Sequence, residues 1–369
     1  MSGVFSSLTE RGGAYPLLLL APMAGYTDAA MRAVCSSFGV TWTYTEMTNG
    51  YGLARGEEKT WHLLETAEDE GPVMAHLYGQ DPEVMGMAAG LVGETGRFIG
   101  IDLNAGCPVH KVTASGAGAA LIRDPERVYA VLSAMVRATQ LPVTLKTRLG
   151  PSPDRVAIFE LLDAAERAGA RAITVHARFT SQRHSGDPHL DILAEVKRRA
   201  RIPVIANGGI YSRTTAWRTF QETGCDALMV ARAAIGNPWV FGDIVQSFQA
   251  GEPPREVHVP GSGRSHRDLD AIRQTLYRHL EAEKRLLARV REKYHLPESA
   301  LTPEEALVTT FRCHLFRYLH GLQGSGHLRR HLLDLRSEAD IRSAVEACLE
   351  NEAGFRAKGG EQGRLPNEK

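Results

Sequence analysis

Apolar and polar positions alternate in blocks along the first two thirds of the chain. Short runs rich in valine, isoleucine, leucine and threonine recur at 17–22, 40–45, 72–77, 98–103, 142–146, 171–176, 202–206 and 226–230. Segments of helical character separate them at 29–38, 82–92, 125–139, 155–168, 190–199 and 214–221. Eight alternations of strand and helix predict an α/β fold whose parallel sheet closes as a (β/α)8 TIM barrel.

The pattern changes to purely helical spacing from about residue 239. The segments 269–294 and 303–319 repeat apolar residues at i, i+3 and i+4. Thr302 and Pro303 supply an N-cap and a proline at the first helical position. The domain prediction is a barrel over 1–250, a linker over 251–266, a smaller C-terminal helical domain over 267–353 and a disordered tail over 354–369.

Polar and glycine residues collect directly after the predicted strands, at the end of a barrel where active sites form. These positions are 21–25, Glu46, 76–79, Cys107, 146–148, 176–178, 207–209 and 231–232. Prolines at 72, 142 and 203 mark the opposite, entry ends of three strands. The pattern therefore predicts a functional face and a structural face.

Cys107 lies in a tight turn, Asn-Ala-Gly-Cys-Pro at 104–108, straight after an apolar run. Most free cysteines are small buried hydrophobes, so a packing role is the alternative. The glycines and small residues at 114–120 permit close approach of the backbone to a flat or anionic group. A thiol is mostly protonated at neutral pH, which makes Cys107 a candidate proton donor.

The ends of the seventh and eighth strands predict an anion site. Backbone N–H groups at Asn207, Gly208 and Gly209, together with Ala231 and the guanidinium of Arg232, suit a phosphate. The alternative is a tight turn and an arginine that caps the barrel. No GxGxxG follows the first strand, so a Rossmann dinucleotide site is not supported.

Lys146 and His176 end successive strands, and two potential cations there suit an electron-rich ring such as a reduced flavin. Taken separately, the lysine could reach solvent and the histidine could be a satisfied core residue. Their coincidence at neighbouring strand ends favours a cofactor site.

The charge balance limits how a nucleic acid could bind. The chain has 43 basic and 43 acidic residues, so only a local patch could attract RNA. The helical region offers such a patch, with Tyr294, Phe316 and Tyr318 interleaved, although a solvated helix face is the alternative. Its basic residues are Arg273, Arg278, Lys284, Arg285, Arg289, Arg291, Lys293, Arg312, Arg317, Arg329 and Arg330.

The five cysteines lie far apart, without a CxxC pair or a spacing typical of zinc ligands. We therefore expect no metal and a reduced, cytoplasmic environment. No window approaches the roughly 18 apolar residues of a membrane span, so we expect no membrane association. The default expectation for the oligomeric state is a monomer.

Six motifs in order make the chain resemble the tRNA-dihydrouridine synthase family, over about residues 17–241. They lie at 21–28, 102–108, 146–150, 174–178, 205–210 and 231–239. The resemblance implies an FMN enzyme that reduces the C5=C6 bond of uridine in tRNA, or in another structured RNA, with NADPH as reductant. Flavin N5 would deliver hydride to C6, and Cys107 would protonate C5 from the opposite face.

The resemblance also implies roles for individual residues. Pro22, Met23 and Ala24 would lie against the isoalloxazine ring, while Lys146 and His176 would contact its polar edge. The residues that would hold the phosphate are Asn207, Gly208, Gly209, Ala231 and Arg232. Asn104 would bind the target uracil and Arg178 the nucleotide or its phosphate. The base would have to be extruded from the folded RNA, and the helical domain, 267–353, would bind the rest.

The chain departs from the family pattern in four places. His76, a cofactor-binding candidate, stands where the family usually has glutamine, and Thr180 replaces a second arginine. Gly209 removes a carboxylate, and Ala231 replaces a glycine. Two alternatives remain at this stage. One is an FMN barrel acting on a small unsaturated metabolite, and the other is a non-catalytic RNA-binding module.

Overall fold

The computed structural model describes residues 16–251, 253, 267–294 and 301–358. These residues form two compact units. The first contains the described residues up to Ala234 and those from Trp239 to 253, and the second contains Ile235–Pro238 and the helices from Leu269 onward. The predicted linker lies outside the described residues except at 251 and 253.

A parallel sheet forms the centre of the first unit. Its strands are β1 (Leu17–Leu20), β2 (Thr43–Tyr44), β3 (Thr48–Asn49), β4 (Val73–Tyr78), β5 (Gly100–Ala105), β6 (Val143–Arg148), β7 (Ile173–His176), β8 (Val204–Asn207) and β9 (Ala227–Val230). The order is β1-β9-β8-β7-β6-β5-β4-β2, and β3 also pairs with β4. A parallel bridge between Leu19 and Trp42 joins the two ends. The predicted TIM barrel is therefore confirmed.

Helices follow most of the strands. They are α1 (Ala29–Ser36), α2 (Gly50–Ala54), α3 (Glu58–Trp61), α4 (Pro82–Glu94), α5 (His110–Thr113), α6 (Pro125–Ala138), α7 (Ile158–Ala168), α8 (Leu190–Arg199), α9 (Arg213–Thr223) and α10 (Trp239–Gln249). Asp81 and Asp124 cap α4 and α6, each with proline at the start of the helix. The short α2 and α3 were not predicted, because few residues carry their periodicity.

The barrel interior changes from apolar to polar toward the carboxyl ends of the strands. Leu19, Trp42, Met74 and Met229 belong to one buried apolar cluster. Partners in a parallel ladder point to the same side of the sheet, and His76 pairs with Asp102, which pairs with Thr144. A polar layer of three strands therefore lies above the apolar one.

Two strands continue further than their apolar runs suggest. The register pairs Asn104 with Lys146 and Ala105 with Thr147, so β5 and β6 extend to Ala105 and Arg148. Asn104 thus lies within β5, which corrects the prediction that it follows the strand, and Lys146 lies within β6 rather than at its end. The prolines at 72, 142 and 203 directly precede β4, β6 and β8, as expected.

Four helices form the described part of the second unit: α11 (Leu269–Lys293), α12 (Pro303–Leu319), α13 (Ser325–His331) and α14 (Glu338–Ala357). Leu276, Leu280, Phe311, Leu315 and Val345 are fully buried in it. α11 and α12 agree with the predicted segments 269–294 and 303–319. The sequence analysis gives no separate bounds for α13 and α14. No helix in the described ranges combines the length and apolar character needed to cross a membrane.

The last helix corrects the start of the predicted tail. α14 continues to Ala357, four residues into the segment 354–369. Arg356 holds its final turn by donating to Glu352 at 3.0 Å and to the Arg267 carbonyl at 2.9 Å. The remainder of the predicted tail, 359–369, lies outside the described residues.

Candidate active site

Lys146 and Asn207 meet at the carboxyl ends of β6 and β8. Lys146 Nζ donates to Asn207 Oδ1 at 3.1 Å, and Asn207 Nδ2 donates to the Met229 carbonyl at 2.8 Å. Burial lowers the pKa of Lys146 to about 8, although the charge of Asp102 opposes this shift. The structure thus holds one ammonium group in a fixed position within the barrel mouth.

The surroundings of His176 favour its neutral form, whereas the sequence analysis treats it as a potential cation. Burial is the main cause that lowers the pKa of His176, and the charges of Lys146, Arg148 and Arg178 add to it. Arg178 Nη1 lies 3.2 Å from His176 Nε2, and the ring stacks on His184 with centroids 5.9 Å apart. His176 can therefore offer a neutral ring nitrogen rather than a charge to a ligand.

A group of backbone donors lies at the ends of β8 and β9. Gly208 and Gly209 have φ values of +102° and +76°, which L side chains rarely adopt. Among the described residues, no hydrogen bond occupies their N–H groups or that of Arg232, which begins a 3-10 helix, Arg232–Ala234. Ala231 precedes that helix and is half-buried. This donor set fits the predicted anion site.

Replacing Gly208 by alanine should destabilise the protein more than replacing Gly224. A Cβ at 208 would lie 2.6 Å from His176 Cδ2, whereas a Cβ at 224, where φ is +61°, would meet nothing within 4 Å. We expect a loss of about 2–3 kcal/mol for Gly208→Ala and about 1 kcal/mol for Gly224→Ala, from backbone strain alone. Urea denaturation of both variants measures the difference, and equal losses would contradict the steric account.

Three arginines hold the backbone of one loop, 183–186, which the sequence pattern does not predict. Arg148 Nη1 donates to the Arg183 carbonyl at 2.6 Å, and Arg178 Nη2 donates to the Gly186 carbonyl at 2.8 Å. Arg232 Nη2 contacts the His184 carbonyl at 3.4 Å. No apolar pattern marks such a loop, because side-chain donors to backbone carbonyls hold it in place.

The Cys107 turn is fixed by the side chain of Asn104. Asn104 Oδ1 accepts from the backbone N–H groups of Gly106 at 2.9 Å and Cys107 at 3.0 Å. The Cys107 carbonyl accepts from Ala119 N at 2.9 Å, and a Cβ on Gly118 would lie 2.7 Å from that carbonyl. The thiol is free and half-buried. Asn104 therefore positions the candidate proton donor, in addition to its predicted contact with a base.

The first predicted ring contacts form a turn after β1. The Met23 carbonyl accepts from the N–H groups of Tyr26 and Thr27, both at 3.0 Å, and Met23 N donates to Thr27 Oγ1 at 2.8 Å. Pro22 and Met23 are half-buried and Ala24 is exposed. These three residues therefore present an accessible, largely apolar edge.

His76 lies one inward-facing layer below Asn104 and Lys146. Its Nδ1 is 2.7 Å from Asp102 Oδ2, and the other carboxylate oxygen accepts from the Thr144 hydroxyl. His76 is a predicted site residue, whereas its link to Asp102 and Thr144 is visible only in the folded structure. A carboxylate inside an apolar strand was the available signal, because such a group needs a partner when buried.

The basic patch of the helical unit is partly neutralised. Arg273 pairs with Glu346 at 3.1 Å and Lys284 pairs with Glu338 at 2.7 Å. Arg329 instead lies over the ring of Phe316, 5.9 Å from its centroid. The predicted stretch is therefore a mixture of paired and aromatic-stacked cations.

Fold and site together define a (β/α)8-barrel protein of the kind that carries its chemistry at the carboxyl ends of the strands. A thiol, an ammonium group and a set of backbone donors meet there. A family model described as dihydrouridine synthase (Dus) matches residues 19–353. The chain belongs to the dihydrouridine synthase family.

Curated relatives agree with this assignment. The chain is 37% identical over 267 residues to tRNA-dihydrouridine synthase B of Xanthomonas axonopodis pv. citri, covering 72% of this chain and 77% of that one. It is 37% identical over 249 residues to tRNA-dihydrouridine synthase B of Escherichia coli K12, covering 66% and 77%. Among solved structures, FabK from Thermotoga maritima is 17% identical to this chain, with a TM-score of 0.37. The match covers 63% of this chain and 62% of FabK, so both shares are less than two thirds.

Proposed function

We propose that this protein reduces the C5=C6 bond of specific uridines in tRNA to 5,6-dihydrouridine, with FMN as cofactor and NADPH as reductant. The observation that carries the proposal is the Cys107 turn, which Asn104 fixes beside the barrel mouth that holds Lys146. The names of the relatives, tRNA-dihydrouridine synthase B, support tRNA as the substrate.

The residues fit an FMN group. The N–H groups of Gly208, Gly209 and Arg232 would hold the phosphate, together with the Arg232 guanidinium, whose Nη2 lies 3.4 Å from the His184 carbonyl. Lys146 and His176 would contact the polar edge of the ring, and Pro22, Met23 and Ala24 would cover its apolar part. When bound, FMN supplies the hydride for C6 of the uracil.

Cys107 supplies the proton in this proposal. The Sγ–H bond breaks as a C–H bond forms at C5, and the resulting thiolate is reprotonated from solvent, which reaches the half-buried side chain. Its charge is close enough to Lys146 to act on the pKa of the ammonium group.

The remaining groups orient the RNA. Asn104 would bind the uracil and Arg178 a nucleotide phosphate, although Arg178 Nε and Nη2 already donate to the Gly186 carbonyl. The cations of the second unit would contact the phosphate backbone without reading sequence. We further propose that the protein acts as a monomer in the cytoplasm, without a metal.

An anaerobic titration tests the function directly. The purified protein should show a flavin absorption spectrum that NADPH bleaches, and bulk tRNA should restore the oxidised spectrum. A bleached flavin that tRNA leaves unchanged would favour a small-metabolite substrate or another RNA. No flavin, even after reconstitution with FMN, would favour a non-catalytic RNA-binding module.

A further inference from the structure

Several contacts hold the buried pair of His76 and Asp102 in place. The side chains are 3% and 0% exposed, and Nδ1 lies 2.7 Å from Oδ2. Thr45 Oγ1 accepts from the His76 backbone N–H at 2.9 Å, and the Tyr44 ring meets the imidazole edge to face, with centroids 6.4 Å apart. The imidazole therefore has one fixed orientation.

The hydrogen bonds determine which ring nitrogen carries the proton. When Asp102 is a carboxylate, both of its oxygens accept, one from Thr144 and one from His76, and the short contact then places a proton on Nδ1. In a neutral imidazole, Nε2 is then an acceptor without a hydrogen. A carboxylate that keeps the proton on Nδ1 thereby leaves Nε2 as a hydrogen-bond acceptor for a ligand.

His76 Nε2 is the one polar atom of this pair that the described residues leave without a hydrogen bond. Some buried side-chain atoms of the described residues have neither a hydrogen bond nor contact with solvent, but His76 Nε2 is not one of them. Solvent can therefore still reach this nitrogen. Its layer lies directly beneath that of Asn104 and Lys146, and the Asp102 charge acts on the pKa of Lys146. The bare nitrogen is therefore accessible at the floor of the barrel mouth.

We infer that Asp102 is a positioning residue, which keeps the proton on His76 Nδ1 so that Nε2 accepts a hydrogen bond from a ring N–H of the bound flavin. The inference rests on the proposed function. A glutamine amide in this place could donate or accept, since it carries both groups. The His76 and Asp102 pair can only accept, which restricts its flavin partner to N–H positions.

The tautomer can be measured without cofactor. In the full chain with flavin removed and with ¹⁵N-labelled histidine, we expect His76 Nδ1 to show the shift of a protonated nitrogen and Nε2 that of a bare one. His76→Gln assigns the signals by removing them. A bare Nδ1 with a protonated Nε2 would overturn the inference whether or not the protein binds FMN.

A double-mutant cycle on FMN affinity tests the action of Asp102 through His76. Asp102→Leu removes the acceptor for Nδ1–H, and we expect it to weaken FMN binding about tenfold, as expected for one lost hydrogen bond. His76→Leu should cost a similar factor, whereas His76→Gln should restore the affinity to within about threefold. In the His76→Gln background, Asp102→Leu should change the affinity less than about threefold.

The outcomes separate this inference from the proposed function. An equal loss from Asp102→Leu in both backgrounds indicates a structural carboxylate and overturns the inference, while FMN binding itself leaves the function standing. Failure of the wild-type chain to bind FMN overturns both. Circular dichroism identifies a variant that does not fold, and the wild-type nitrogen shifts then still decide the protonation state.

Discussion

Cys107→Ala is expected to lower the rate of dihydrouridine formation by about 10²–10⁴-fold, the usual contribution of a positioned general acid. FMN should stay bound, because the residues proposed to hold it lie on or directly after strands other than β5, namely β1, β4 and β6 to β9. The amount of dihydrouridine formed in tRNA by the anaerobically reduced enzyme measures the rate, and the visible spectrum measures FMN occupancy.

Cys313→Ala is the matched control, since Cys313 lies on α12 in the second unit. It should leave both readings near those of the wild type. Cys107→Ser keeps an O–H group in the turn, but this group is a weaker acid than the thiol. The rate of Cys107→Ser should therefore lie between those of Cys107→Ala and the wild type. Unchanged turnover in Cys107→Ala would remove Cys107 from the chemistry and leave it a packing residue.

Lys146→Met is expected to lower turnover by about 10²-fold and to stabilise the flavin-free protein. The ammonium sits where burial lowers its pKa to about 8, so its removal relieves a desolvation cost. The wild-type rate is expected to fall above about pH 8 as Lys146 loses its proton, and this part of the pH dependence should be absent from the variant. Lys59→Met is the control, since Lys59 is exposed.

The free energy of unfolding should also depend differently on pH in the wild type and in Lys146→Met. The pKa of an unfolded lysine is about 10.4, so between about pH 8 and pH 10 the unfolded chain binds more protons at this position than the folded one does. The free energy of unfolding of the wild type should therefore rise with pH in this window, relative to that of Lys146→Met. Urea denaturation at both ends of the window measures it. Parallel pH curves would show that Lys146 titrates normally.

The barrel could be predicted because each of its eight units carries its own signal. Runs of β-branched and aliphatic residues mark buried parallel strands, and the prolines at 72, 142 and 203 mark where three of them begin. The far ends were less certain. Asn104 and Arg148 are polar, and only the ladder between β5 and β6 shows that the strands extend to include them.

Part of the candidate site could be predicted from the order of the strands. Strand ends converge in a barrel, so Lys146, His176 and Asn207 could be placed together from their positions alone. The partners of His76 could not, because Asp102 and Thr144 are 26 and 68 residues away in the chain. The lowered pKa of His176 could not be predicted either, since its burial and its arginine neighbours come from the folded arrangement.

α14 illustrates a signal that was present but not used. Ser337 and Asp340 form a capping box, and Ile341, Val345 and Leu349 recur at helical spacing and are buried. The last turn depends on Arg356 and its contact with the Arg267 carbonyl. Local sequence could therefore place the beginning of the helix but not its final turn.

The turn held by Asn104 limits what a base can present to this side chain. Its amide oxygen is taken by two backbone N–H groups, and its Nδ2 donates one hydrogen to Met47 Sδ at 2.7 Å, so only the second hydrogen of the NH₂ group remains for a ligand. A uracil carbonyl can accept from that NH₂ group, whereas the amino group of a cytosine in the same position would face it donor to donor. On the proposed function, the hydrogen bonds that hold the proton donor in place would also make the enzyme reject cytidine.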